Sequence, residues 1–521
     1  MKKYILNFAL FCFIVISTSG CDPENVLSDN SSTDSGITIE GKEESTDYTW
    51  SSTDEIDITL NGTSASCSSS NVSISSGLIT ILKGGNYVIN GTLTNGQLLV
   101  NADTATVKVK LNGVSMTNTS SAPFYGKKAG KIIIFLNDGT TNTLTDASSY
   151  SNSDEPNACM FSNCYMAVTG SGSLTISANY NDGISGDDGI TINSGDIKVT
   201  SKDDGIRGKD YLKINNGTIQ VKATAGHALK SDNDTDKGYG YVRVLNGTLT
   251  LVSSQKDGIH ATKRVIIDGG VSTITASSSQ AMNSDSLVII NGGTNTLTAK
   301  EGIEGFYITI TGGVTTINAT NDGINATAGT VSGGAEYDDN SLFSVKGGLL
   351  IANCSAGDAI DSNGGFNMSG GTVIANGPQS GIEESTDING SFNMTGGFFM
   401  GAGAKSNMQK SMSSTSTQAN MFIKASSAVS SSSLLHIEDA SGNDIATLKP
   451  KYGGYYFLFS SPELAKGATY HIYTGGSYSN GTLTNGGTYG IYSGGSYSKT
   501  GATLKKSITL STSTTVNTFS F

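Results

Sequence analysis

The chain has 521 residues, with 66 glycines against 6 prolines, 36% hydrophobic residues and 15% charged ones. So low an apolar share excludes one thick globular core, and so little proline and charge excludes a disordered chain. A net charge of −12 excludes a nucleic-acid face, which must be basic; it leaves neutral glycans, or polyanions reached through a bound cation.

In chain order, Met1-Lys2-Lys3 is a positive start, and Tyr4 to Ile16 is an apolar run too short to span a membrane as a mature helix. Thr18-Ser19-Gly20 then leads into Cys21, a pattern that resembles a bacterial lipobox. Residues 1–21 are therefore expected to be a lipoprotein signal peptide with Cys21 lipidated, and the acidic, Ser/Thr-rich residues 22–50 a flexible tether. The expected location is then outside the inner membrane: secreted across it and anchored, by lipid only, at the outer membrane or cell surface. Cys67, Cys159, Cys164 and Cys354 remain in the mature chain, without CxxC or His/Cys metal spacing. Cys159 and Cys164 are close enough in sequence to pair, or are two buried thiols.

Residues 54–100 are strand-rich, with turns at Asn61-Gly62, Gly84-Gly85 and Asn90-Gly91, and are expected to form an N-terminal cap on the repeat region. Val107–Val114 and Ile132–Leu144 look like wide coils. A repeat of roughly 22 residues then takes over. One half is Asp-Gly-Ile or a variant: Asp182-Gly183-Ile184, Asp204-Gly205-Ile206, Gly226-His227-Ala228, Asp257-Gly258-Ile259, Ala281-Met282, Glu301-Gly302-Ile303, Asp322-Gly323-Ile324, Gly357-Asp358-Ala359 and Gly381-Ile382. The other half is a Gly turn followed by a β-former, as at Asn216-Gly217, Gly269-Gly270 and Gly312-Gly313. Two longer steps carry insertions, at Asp232–Tyr241 and near Val331–Leu342. A leucine-rich repeat is excluded by the missing Leu/Asn signature, and a propeller by the short period. The expected fold is all-β: a right-handed parallel β-helix solenoid over residues 51–400 with an N-terminal cap, its coils about 4.8 Å apart. Residues 401–521 should form a β-rich C-terminal cap or a small sandwich on the last coil.

A solenoid turns sequence period into spatial columns. Aligned on the motif glycine, the preceding column reads Asp182, Asp204, Ala225, Asp257, Gln280, Glu301, Asp322, Ala356 and Ser380. Ile184, Ile206, Leu229, Ile259, Ile303, Ile324, Ile360 and Ile382 should point inward. The next column should point outward: Ser185, Arg207, Lys230, His260, Asn283, Glu304, Asn325, Asp361 and Glu383. Asp182, Asp203 and Asp204, with Asp187 and Asp188 nearby, crowd carboxylates that a hard cation would relieve. Any single Asp-Gly is as well explained by turn chemistry. For the cluster the expectation is Ca²⁺, with Asp182, Asp187, Asp203, Asp204, Asp257 and Asp322 as candidate ligands. Arg207, Lys230 and His260 are the candidate substrate-binding residues, a cationic row able to receive sugar carboxylates, or else a solvated face. Tyr180, Tyr211, Tyr239 and Tyr241 are candidate sugar platforms or plain filler. No P-loop, GxSxG or paired-glycosidase pattern is present.

The motifs Gly84-Gly85-Asn86-Tyr87, Leu111-Asn112-Gly113-Val114, Asn137 to Leu144 and the Asp-Gly-Ile rungs with His227-Ala228-Leu229-Lys230 resemble, in content and order, a bacterial family. It is the carbohydrate-binding β-helix family of cellulose- and acidic-sugar-binding surface proteins, and the similarity spans roughly residues 54–500. The resemblance implies a fold like that of calcium-dependent pectate lyases, bound calcium, and glycan binding. The matching positions here are the Asp-Gly-Ile aspartates and Lys230; Gly226-His227 and Ala281 interrupt the acidic column. The expectation is thus a monomeric, calcium-assisted polysaccharide-binding protein of the cell surface, for cellulose or uronate-containing plant glycans. Its rivals are a calcium-dependent polysaccharide lyase acting by β-elimination, with Lys230 or Arg207 as base, and a structural adhesin.

Overall fold

The computed structural model describes residues 41–151, 156–331 and 337–521. Cys21 and the first part of the expected tether lie outside the described residues. Among the described residues, no helix is long and apolar enough to cross a membrane.

The repeat folds into three parallel ladders that succeed one another around each coil. One coil, for example, is Ile206–Gly208, Tyr211–Ile214 and Thr218–Ala223. Each strand pairs in parallel with its counterpart one coil later: Ile206 with Leu229, Leu212 with Val242, Ile219 with Leu249. Period-two alternation sets which side chains face in. In Thr218–Ala223, Ile219, Val221 and Ala223 are buried and the residues between them exposed. The inward side chains form a single apolar core running the length of the solenoid, because no coil can bury its own apolar side. Phe343, Phe366 and Phe392 stack within it, with ring centroids 4.6 and 4.5 Å apart.

Glycine does two different jobs at the corners. At the double-Gly turns the backbone is left-handed, as at Gly313 with φ +74°. In the Asp-Gly-Ile corner the reason is close approach: a Cβ on Gly205 would lie 2.5 Å from the carbonyl oxygen of Ala228 in the next coil.

The ladders begin earlier than the repeat. Glu55–Gly62 pairs in parallel with Gly85–Leu93, which pairs in parallel with Thr106–Thr117. The segment expected as a cap therefore carries coils of its own, together with two antiparallel pairings, Glu55–Gly62 with Ala65–Ser66 and Val72–Ser75 with Leu78–Ile81. At the other end, Gly454–Ser460 pairs antiparallel with the last solenoid strand, Phe398–Gly403, and with Asn420–Val429. A six-stranded sheet lies beyond it, and a separate apolar cluster around Met421, Ile437, Leu448 and Phe459 joins the two. Cys67, Cys159, Cys164 and Cys354 are all free thiols.

Candidate functional site

The register fixes the outward column from Ser185 onward. Ser185 pairs with Arg207, Arg207 with Lys230, Lys230 with His260, His260 with Asn283, and Asn283 with Glu304. Asn325 and Asp361 come next, and the last member is Asp387. Glu383 is not in the column, and Ile382 is not inward; it is 72% exposed. Residues 379–383 loop out before the chain rejoins the face, where Thr386, the residue before Asp387, takes the buried position that Ile360 holds one coil earlier.

Beside this column, three residues earlier in each coil, stands a second one. The amide of Gly183 donates to the carbonyl of Asp204, Gly205 to His227, Ala228 to Asp257, and Gly258 to Gln280. Gly302 then donates to Asp322, Gly323 to Asp358, and Ala359 to Glu384. With Gln280 opposite Glu301, the column reads Asp182, Asp204, His227, Asp257, Gln280, Glu301, Asp322, Asp358, Glu384. Ala225, Ala356 and Ser380 do not belong to it. The sequence alignment slipped in those coils because the motif glycine is replaced by Ala228, Ala359 and Ser385, while Gly226, Gly357 and Gly381 lie close by. His227 was missed for this reason.

These side chains also hold the coils together. Asp182 Oδ1 accepts the amide of Asp204 at 3.1 Å, and Asp204 Oδ1 that of His227 at 2.8 Å. Asp257 Oδ1 accepts from Gln280 at 3.3 Å, Asp322 Oδ1 from Asp358 at 2.9 Å, and Asp358 Oδ1 from Glu384. Each carboxylate thus satisfies a backbone donor of the next coil, the inter-coil version of an Asx turn.

Asp182, Asp203 and Asp204 place ligand oxygens within 4.8 Å of one another. Burial, with Asp204 and Asp203 close by, pushes the Asp182 carboxyl up to about 7. Asp187 stands apart: it is exposed, and the extended strand Asp182–Gly186 separates it from the cluster. Its neighbour Asp188 pairs with Lys42. Further along, burial pushes Asp322 up to about 6 and Asp358 up to about 9, in each case with neighbouring carboxylates adding to it. Asp257 behaves oppositely: burial opposes its charge, but the neighbouring His227 and His260 imidazoles and the hydroxyl of Ser279 outweigh it and hold the carboxyl well below the usual range.

The cations of the outward column already face carboxylates. Arg207 makes a fork with Asp232, Nε to Oδ2 at 3.0 Å and Nη2 to Oδ1 at 3.0 Å. Lys230 Nζ lies 3.0 Å from Asp204 Oδ2 and 3.4 Å from Asp232 Oδ2. Burial works against the Lys230 charge, yet Asp204 and Asp232 raise its pKa above the ordinary lysine value. Asp232 opens the first insertion, so that insertion does contribute to this face. His260 Nδ1 is 3.2 Å from Asp257 Oδ2. Farther along the strip, Gln280 Nε2 donates to Glu304 Oε2 at 2.8 Å and to Glu301 Oε2 at 3.1 Å.

The tyrosines lie elsewhere. Tyr211 and Tyr241 stack at 5.2 Å on the adjacent ladder and are 0% and 1% exposed. Residues 41–50, expected as tether, cover them: Lys42 N donates to Tyr211 Oη at 2.8 Å, Lys131 pairs with Asp47 at 3.0 Å, and Trp50 packs edge-on against Phe135. Tyr180 stacks on Tyr150 at 4.2 Å. The buried pair, Tyr211 and Tyr241, is core filler rather than an open sugar platform.

Fold and site together define a parallel β-solenoid that carries a continuous double column of polar side chains along one ladder. The chain belongs to the carbohydrate-binding domain-containing protein family, whose model matches residues 75–341, and the double column from Asp182 to Asn325 lies within that match. A carbohydrate-binding domain-containing protein of Acetivibrio thermocellus is 41% identical over 133 residues, 25% of this chain and 46% of that protein. The chain thus spans about half the length of that relative. Among solved structures, the gadolinium derivative of a polysaccharide lyase-like protein from C. thermocellum is similar at 31% identity and a TM-score of 0.41, covering 46% of this chain and 92% of that one.

Proposed function

We propose that this protein binds a polysaccharide along the double polar column, with calcium held at Asp182, Asp203 and Asp204. The observation that carries the reading is the strip itself. Nine coils at about 4.8 Å give a row of donors and acceptors roughly 38 Å long, a shape that suits a linear polymer better than a small molecule. Family membership supports carbohydrate as the ligand. The carboxylate oxygens fit one Ca²⁺, because oxygens within 4.8 Å of one another can all reach an ion with Ca–O distances of about 2.3–2.6 Å. Burial, together with Asp204 and Asp203, raises the Asp182 carboxyl, a conflict that a cation bound by the cluster would relieve. A bound calcium would offset most of the cluster's charge and offer an open coordination position to a sugar oxygen at the surface of the strip.

Lys230 and Arg207 act here as donors. Their acidic partners keep both protonated, since the Arg207 pKa too is raised by Asp232 against the effect of burial. A β-eliminating lyase needs a neutral base beside the C5 proton, so the geometry favours binding over cleavage. The glycan is cellulose or a uronate-containing plant polymer. The protein acts at the cell surface, anchored through Cys21, as a right-handed solenoid closed at its N-terminal end by the first coils.

The test is to mix the purified chain with a polyuronate and calcium, tracking both association and absorbance of the unsaturated product. Saturable binding without product, weakened in Lys230→Ala and Arg207→Ala, is expected. Steady product formation that disappears in Lys230→Ala would establish the lyase instead.

A further inference from the structure

The double column contains a second cluster of different chemistry. His227 and Asp257 are successive members of the corner column, and His260 stands three residues beyond Asp257 in the outward column. His227 Nδ1 is 3.3 Å from Asp257 Oδ2, and His260 Nδ1 is 3.2 Å from the same oxygen. The three ligand atoms lie within 4.8 Å of one another. The two imidazoles stack face to face, with centroids 4.6 Å apart and planes 24° from parallel.

We propose that His227, Asp257 and His260 form a binding site for a divalent transition-metal ion of the Zn²⁺, Co²⁺, Ni²⁺ and Cu²⁺ class, separate from the all-carboxylate calcium site. Two imidazole nitrogens and one carboxylate oxygen are a borderline donor set, suited to these ions and not to Ca²⁺. The spacing agrees. Two ligands on a tetrahedral ion with arms of about 2.0–2.1 Å lie roughly 3.3–3.4 Å apart, against 3.3 and 3.2 Å here.

Hydrogen bonding alone leaves the cluster unsatisfied. His260 Nδ1 is shielded from solvent and makes no aligned hydrogen bond, although Asp257 Oδ2 is only 3.2 Å away. The amide of Asp257 reaches His227 Nδ1 at 3.2 Å, which places a lone pair on that nitrogen and the proton on Nε2. A ligating imidazole must offer such a lone pair, and the ion would take over that amide's contact.

The carboxylate is anchored from behind. Asp257 Oδ1 accepts from Ser279 Oγ at 2.5 Å and from the Gln280 amide at 3.3 Å, leaving Oδ2 turned to the imidazoles. Such supporting contacts fix the direction of a ligand. Lys230, in the coil of His227 and next to His260 in the column, has its ammonium on Asp204 and Asp232. Three protein ligands leave a fourth position for water or for a sugar oxygen of a chain lying on the strip. The site stands on the side chains alone and does not depend on glycan binding.

The probe is Co²⁺, then Zn²⁺, titrated into the purified chain after chelator treatment. The chain has four histidines, so histidine-selective ¹⁵N labelling reads the site in the unaltered protein. Expected are one equivalent of Co²⁺ with the visible bands of a low-coordinate ion, its displacement by Zn²⁺ but not by Ca²⁺, and Zn²⁺-induced shifts at two histidines. His227→Gln and His260→Gln should each weaken binding at least a hundredfold, and His471→Gln, whose ring bonds Ser507 far from the cluster, should leave it unchanged. Absence of stoichiometric Co²⁺ binding, or shifts at His436 and His471 instead, would overturn the proposal. So would unchanged affinity in both glutamine variants.

Discussion

Replacing Asp358 by Asn should stabilise the protein at neutral pH. Asp358 is 7% exposed; burial, with Asp322, Asp361 and Asp387 adding, pushes its carboxyl from 3.8 up to about 9. A group whose folded pKa lies above its unfolded value binds a proton more tightly when folded. Its contribution is therefore fully present below the unfolded pKa and is lost as pH rises through the folded one. Keeping Asp358 neutral at pH 7, about 3 units above 3.8, costs on the order of 4 kcal/mol. Asn removes that cost and still offers Oδ1 to the Glu384 amide, the bond the carboxylate makes now. Urea unfolding at pH 5, 7 and 9, in chelator, should show the variant gaining on the parent as pH rises, by up to a few kcal/mol at pH 7. A variant less stable than the parent at pH 7, with the same pH slope, would refute the reasoning.

Gly302→Ala should destabilise by about 1–3 kcal/mol, because its Cβ would lie 2.2 Å from the Gly323 carbonyl oxygen; thermal melts read this directly. Lys230→Met should destabilise in chelator by about 2 kcal/mol, since buried Asp204 loses the ammonium at 3.0 Å, and calcium should restore part of the loss. Trp50→Ala should loosen residues 41–50 from the Tyr211–Tyr241 face, read as faster proteolysis near residue 50 with the solenoid melt little changed.

The repeat was legible because a solenoid imposes one spatial period on the whole chain. Arg207, Lys230 and His260 could be placed in one column from the repeat alone, since a period-two strand leaves a residue between buried Ile206 and Gly208 only one direction. What failed was alignment on glycine. Gly226 and Gly357 attract the eye, yet the corner tolerates Ala228 and Ala359, so His227 and Asp358 were hidden behind the wrong marker. Tracking the buried residue after the corner, Leu229 or Ile360, would have found both. Pairing was also out of reach: that Arg207 is held by Asp232 depends on how the insertion folds back, which no periodicity encodes. The strap at residues 41–50 was hidden by its composition, because polar residues that read as a tether make long-range contacts to Tyr211 and Lys131.

The central claim is that the strip binds polysaccharide with calcium at its acidic end. The most direct measurement is a glycan array of neutral and uronate-containing plant polymers, probed with the purified chain in calcium and again in chelator. Binding to a β-linked linear polymer that falls at least tenfold in chelator, and falls likewise when Asp203 and Asp204 are both changed to Asn, is the predicted result. Binding indifferent to chelator, or no polysaccharide bound under either condition, would contradict the account.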